Sequence, residues 1–173
     1  MVYLGATQRW PPLRRVVPRE FMVAGLFAVG TMLFFWLDVT AEKVGVFTAF
    51  TIAFATLCAL ACVAVSWFER DVDRCRGVVT LAVEARFGAS LRTSVLGLAL
   101  LHVLAVASLV ALEPGRPALL AAAMLLLSFA AISWQLACGL SAARPRRFAR
   151  WTDFLLLPAP MAVVVFHVLR SRS

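Results

Sequence analysis

Residues 44–67 read VGVFTAFTIAFATLCALACVAVSW, a stretch without a single charged side chain. A helix of this length would be about 36 Å long, which is enough to cross the roughly 30 Å hydrocarbon core of a bilayer. The whole chain has the same character, because 62% of its 173 residues are hydrophobic and only 15% are charged. A soluble domain has about 25% charged residues. The bilayer is therefore predicted to be the solvent of this protein.

Five apolar runs of this kind divide the chain, and together they leave no room for a soluble domain. Helices are the predicted spanning form, since lipid offers no hydrogen-bond partner to the amides of an open strand. We predict an all-α, polytopic membrane bundle of about five transmembrane helices, with residues 1–173 forming a single membrane domain. The predicted spans are 21–37, 44–67, 93–112, 117–140 and 151–169.

The fifth run differs from the others because Pro158 and Pro160 interrupt its middle. A proline inside a helix removes one backbone hydrogen bond and clashes with the preceding turn. Two interpretations follow, a kinked span or a re-entrant hairpin that returns the C-terminus to the side it came from. In either case the two prolines are the predicted hinge.

The connection 68–92 is the only long one between runs. Its apolar residues recur every three or four positions, which predicts an amphipathic helix lying on the membrane interface. Such a helix would serve either as a docking surface for a partner or as a cover for that end of the bundle. The apolar positions are Val72, Cys75, Val79, Val83 and Phe87.

The net charge of +8 is confined to short segments between the apolar runs. We therefore interpret it as a topology signal and expect no nucleic-acid partner. Thirteen of the 17 basic residues fall on one side, which by the positive-inside rule places the N-terminus in the cytoplasm. A bacterial inner membrane is expected, with an organellar membrane as the alternative. The arginines predicted to contact anionic lipid headgroups or a partner are Arg14, Arg15, Arg144, Arg146, Arg147 and Arg150.

His102 is the first candidate for chemistry, because it lies halfway along the third run. Its imidazole could ligate haem iron or a chlorophyll-type magnesium, or hydrogen-bond a quinone. The alternative is a neutral histidine bonded to a serine, a glutamine or a backbone carbonyl of a neighbouring helix. The second histidine, His167, is predicted to lie about 10 Å further out, which disfavours a bis-histidine haem.

The other polar and small residues of the runs predict helix packing rather than catalysis. Gln135 and Ser128 share a stripe of the fourth run, and a glutamine there usually joins helices. A second stripe on the second run would pack inside the bundle or against another subunit. It comprises Thr48, Thr51, Ala55, Cys58 and Cys62. Its two thiols have no further ligands to complete a metal site, so no metal is expected.

No Asp, Glu, Lys or Arg lies deep in a run, and no catalytic or phosphate-binding motif is present. The sequence therefore favours a non-enzymatic role, and no cofactor is required by it. The leading hypothesis is a small accessory or structural subunit of a larger respiratory, photosynthetic or transport complex. The alternatives are a transporter or channel for a neutral or lipophilic solute, and a haem, quinone or pigment protein using His102.

Overall fold

A computed structural model of the chain describes residues 19–37, 39–77, 80 and 87–140. Within these residues the protein consists of helices only, as predicted from the sequence. The four α-helices are α1 (Arg19–Trp36), α2 (Val44–Cys75), α3 (Phe87–Leu112) and α4 (Arg116–Leu140), and a short 3₁₀ helix, Ala41–Lys43, precedes α2.

Helix α2 is the centre of the bundle. It has 32 residues and is about 48 Å long, and α1, α3 and α4 all pack against it. Residues 56–61 are buried one after another, so every side of α2 is covered at this level. The covering helices contribute many alanines, which let backbones approach closely. These are Ala24 and Ala28 of α1, Ala105 of α3, and Ala118, Ala121 and Ala122 of α4.

A tight turn joins α3 to α4. The amide of Glu113 donates to the carbonyl of Leu109 at 3.1 Å, which closes the last turn of α3, and Gly115 accepts from the amide of Leu119 at 3.1 Å. Near this turn the start of α2 lies close to the end of α3. A Cβ added to Gly45 would lie 3.4 Å from Leu112 Cδ1, at van der Waals contact, so the two helices lie close together here.

Among the described residues, three helical segments are long and apolar enough to cross a membrane: Ala41–Cys75, Arg92–Leu112 and Arg116–Cys138. The prediction of about five spans is not supported. Helix α1 has 18 residues and is about 27 Å long, and it covers most of the first predicted run. The predicted span 151–169, with its hinge prolines Pro158 and Pro160, lies outside the described residues.

The predicted interfacial helix in the connection 68–92 is wrong for its described part. Residues 68–75 continue α2 as one helix, and Phe87 already belongs to α3. Helix α2 ends because Gly77 adopts a φ of 66°, a left-handed conformation that glycine reaches without steric cost and that commonly terminates helices. Val72 and Cys75 of the predicted pattern therefore belong to α2, whereas Val79 and Val83 lie outside the described residues.

Candidate functional site

His102 lies at the centre of the bundle and its side chain is fully buried, with 0% of its surface exposed. It is the eleventh of the 21 residues in the segment Arg92–Leu112, so the structure places it midway along a candidate span. Its Nδ1 lies 2.8 Å from Thr56 Oγ1 and 3.1 Å from the carbonyl oxygen of Ala53. Both partners belong to α2, so the ring joins α3 to the central helix.

These contacts fix which ring nitrogen of His102 carries the proton. The carbonyl of Ala53 can only accept, and Thr56 Oγ1 already donates its single hydrogen to that same carbonyl at 2.8 Å. Nδ1 must therefore be the donor, shared between the Ala53 oxygen and the Thr56 hydroxyl. In the neutral ring Nε2 then carries no proton and can only accept a hydrogen bond.

Phe129 of α4 holds the ring from the other side. The centroids of the two rings are 4.3 Å apart and their planes differ by 19°, a stacked arrangement. Aromatic contacts of this kind contribute about 0.5–1.5 kcal/mol beyond area burial. The imidazole is thus positioned by α2 through hydrogen bonds and by α4 through stacking.

Two buried polar atoms in this region have no hydrogen-bond partner among the protein atoms, namely His102 Nε2 and Ser128 Oγ. Ser128 is 4% exposed and lies next to Phe129 in α4. Its hydroxyl differs from that of Ser108, which donates to the Leu104 carbonyl of its own helix at 2.8 Å.

A haem or chlorophyll-type pigment fits this histidine chemically but not spatially. A metal ligand needs a bare Nε2, and a carbonyl on the Nδ1 proton is the usual supporting contact. A macrocycle, however, also needs an open space in front of Nε2, and here that atom is enclosed. The arrangement of α3 and α4 around His102 therefore leaves no room for such a group.

The small-residue stripe of α2 makes contacts within the bundle. Trp36 Nε1 of α1 donates to Thr51 Oγ1 at 3.1 Å, and Thr51 in turn donates to the Phe47 carbonyl at 2.7 Å. Cys58 is buried, whereas Ala55 and Cys62 are half-buried against the core. Thr48 alone is exposed, and it bonds to the Val44 carbonyl of its own helix at 2.7 Å.

Gln135 is buried in α4, with 7% of its surface exposed. Ser128, on the same stripe of α4, is buried and precedes Phe129, the residue that stacks on His102. Cys58, Cys62, Cys75 and Cys138 form no disulfide with one another, and no group of three or more His, Cys, Asp or Glu that could hold a metal occurs in the described part of the chain.

The outer face of α4 has a regular pattern that the sequence analysis missed. Six of its exposed residues recur at spacings of three and four and alternate between large and small side chains. They are Leu120, Ala123, Leu127, Ala130, Trp134 and Ala137. The large members are 51%, 70% and 73% exposed for Leu120, Leu127 and Trp134. We call these six residues the α4 outer face.

Sequence reasoning also missed Thr56, Ala53 and Phe129 as the neighbours of His102. Thr56 could have been found, because a hydroxyl and an imidazole deep in adjacent runs are natural partners in lipid. The contacts of Ala53 and Phe129 depend on how the helices are rotated, which the sequence does not state. The arginines at 14, 15, 144, 146, 147 and 150, together with His167, lie outside the described residues.

Comparison with known protein families, with curated proteins and with solved structures gives no match. The functional argument therefore rests on the geometry of the described helices alone.

Proposed function

We propose that this chain is a small, non-catalytic subunit that packs against a larger membrane protein through the α4 outer face. The single observation that carries the proposal is the alternation of large and small exposed residues along that face. The buried polar contacts of the described helices are consistent with this role, since both His102 with Thr56 and Trp36 with Thr51 tie one helix to the next.

Exposure of apolar side chains alone would not support a partner, because lipid covers such residues equally well. The order of side chains on the α4 outer face is more specific. A repeat of three and four residues keeps one stripe of a helix facing a neighbour, and large residues then insert between small ones of the facing helix. In lipid, helices associate through this close packing, and alanine at the contact favours it.

The charge distribution suggests how the subunit is oriented. Thirteen basic residues on one side would place the N-terminus and the C-terminal end of α2 in the cytoplasm. The segments around Arg14, Arg15, Arg144, Arg146, Arg147 and Arg150 would then meet anionic lipid headgroups or a cytoplasmic partner surface. We place the protein in a bacterial inner membrane on this basis, with an organellar membrane as the alternative.

The first test is photo-crosslinking in the native membrane with a photoreactive residue at position 127. We expect a crosslinked product with a second protein, and a native particle in mild detergent that is far heavier than the 18.9 kDa chain. Position 126 provides a matched control. Leu126 is 42% exposed but lies about 100° away around α4, so a reactive group there should crosslink far less.

Two results would contradict the proposal. A crosslink from position 127 only to residues 151–169 of the same chain would show that the predicted last run covers this face. A monomer without crosslinked product at either position would leave lipid as its only neighbour. A transporter role depends on Pro158 and Pro160, outside the described residues, and no described contact favours it.

A further inference from the structure

Helices α1, α2 and α3 meet around Val63 of α2, which is 1% exposed. The residues that pack against it, one from each helix, are Phe21, Trp67 and Val95. All three are half-buried, and we call them the Val63 surface. Trp67 is the last residue of the charge-free run 44–67, and the candidate span Arg92–Leu112 begins three residues before Val95. The Val63 surface is therefore a partly open apolar surface at the level where two candidate spans end.

Two arginines lie next to the Val63 surface, one on α2 and one on α3. Arg70 follows Trp67 by three residues, and its Cζ lies 4.3 Å from the centroid of the Trp67 ring. Arg92 precedes Val95 by three residues and is exposed. Residues three apart are neighbours on a helix surface. Each arginine therefore lies about one turn from a residue of the Val63 surface, on the same face of its helix.

Both arginines are displaced from the Val63 surface towards the same end of the bundle. Helices α2 and α3 are antiparallel, because Gly45 at the start of α2 lies next to Leu112 at the end of α3, while Val63 packs against Val95. A residue later in α2 and a residue earlier in α3 therefore lie on one side. By the positive-inside rule that side is the cytoplasmic one.

The positive charge of Arg70 is held in place but is not removed by its neighbours. Arg70 Nε lies 3.8 Å from Asp71 Oδ1, and 30% and 68% of the two side chains are exposed. An ion pair of this length and exposure contributes little. The stacking on Trp67 instead keeps the guanidinium at the edge of the Val63 surface. Charge from two helices thus borders an apolar surface formed by three.

We propose that Arg70 and Arg92 bind the phosphate of an anionic phospholipid whose acyl chains lie along the Val63 surface. Guanidinium groups bind phosphate oxygens in a fork geometry, and basic sites between membrane helices on the cytoplasmic side bind anionic headgroups. A soluble phosphate could use the arginines but would gain nothing from the apolar residues beside them. A phospholipid matches both parts, because its phosphate lies at the end of its apolar chains. The inference does not depend on the proposed function, since α4 takes no part in it.

The test is quenching of Trp67 fluorescence by brominated phospholipids in vesicles. A variant that keeps Trp67 alone reports on this site, because bromine quenches only a nearby ring. The tryptophans replaced by phenylalanine are Trp10, Trp36, Trp134 and Trp151. We expect brominated phosphatidylglycerol to associate with Trp67 more tightly than brominated phosphatidylcholine. In Arg70→Gln and in Arg92→Gln this preference should fall about fivefold, the effect of one basic residue near an anionic headgroup.

Arg19→Gln is the matched control. Arg19 is exposed and only two residues from Phe21, but it lies about 200° around α1 from it, so the preference should persist in this variant. Equal association of the two lipids, a preference that survives both substitutions, or an equal fall in Arg19→Gln would overturn the proposal. If millimolar inorganic phosphate removes the preference and chloride at the same ionic strength does not, the two arginines bind a soluble anion instead.

Discussion

Thr56 Oγ1 lies 2.8 Å from His102 Nδ1, across 46 residues of sequence and between two helices. The same hydroxyl donates to Ala53 of its own helix at 2.8 Å. The Thr56 hydroxyl therefore donates its proton within α2, and its oxygen accepts a hydrogen bond from His102 of α3.

Replacing Thr56 with valine should weaken the bundle by about 0.6–1.7 kcal/mol, the range measured for hydrogen bonds between membrane helices. Valine keeps the shape of threonine but offers no acceptor to Nδ1. The free energy of unfolding, measured by titration with a denaturing detergent, checks this. Thr48→Val is the control, because Thr48 is exposed and bonded only to α2. An equal loss in both variants would contradict the role of the interhelical bond.

Replacing either Trp36 or Thr51 should remove the same hydrogen bond between α1 and α2. Trp36→Phe removes the donor of the 3.1 Å bond and Thr51→Val removes its acceptor. In a double-mutant cycle we expect a coupling energy of about 0.6 kcal/mol, since the second substitution finds the bond already broken. Strict additivity of the two losses would show that the bond contributes nothing to stability.

Phe129→Leu should loosen the ring of His102 without removing its hydrogen bonds to α2. The stacked pair contributes about 0.5–1.5 kcal/mol beyond the buried area, so the variant should be destabilised by at least that amount. His102→Leu alone should remove the same contact, and the combined variant should lose less than the sum. Unfolding in the same detergent titration measures all three. Additive losses would mean that the stacking is incidental.

Gly77→Ala should strain the end of α2, because φ is 66° there and a left-handed residue with a Cβ costs about 1–2 kcal/mol. Gly97→Ala is a suitable comparison. Gly97 lies inside α3 without a positive φ, and nothing lies within 4 Å of an added Cβ. A stability loss in Gly77→Ala alone, read from thermal unfolding, supports the helix end described here. Equal stability of the two variants would contradict it.

The thiols offer a test of orientation. Cys75 is exposed at the end of α2 and Cys58 is buried, so a membrane-impermeant maleimide should label the first and spare the second. With the N-terminus in the cytoplasm, labelling of Cys75 should require access from the cytoplasmic side, as in inverted vesicles. Cys75→Ser should abolish that signal. Labelling from the outer side of intact cells would reverse the proposed topology.

The sequence predicted the helical class and the approximate helix positions because both depend on long apolar runs. The predicted span ends at 44, 112 and 117 lie within one residue of the observed helix ends Val44, Leu112 and Arg116. The sequence analysis did not predict the end of α2. The apolar spacing of this region suggested an amphipathic helix, whereas the left-handed backbone of Gly77 ends the helix there. The partners of His102 required the rotation of three helices about their axes, which is decided by packing across the bundle and not by spacing along the chain.

The burial of residues 56–61 of α2 on every side has a consequence for how the protein is made. During synthesis α2 enters the membrane before α3 and α4 exist, so its central residues first contact lipid. Thr56 can be accommodated there because its hydroxyl is already bonded to Ala53 within the helix. His102 is on the next helix, and its ring can form its hydrogen bonds only after α3 packs against Ala53 and Thr56 of α2. In this order of synthesis, α2 has its buried hydroxyl already hydrogen-bonded when it enters the membrane, whereas α3 needs α2 to accept the proton of its histidine.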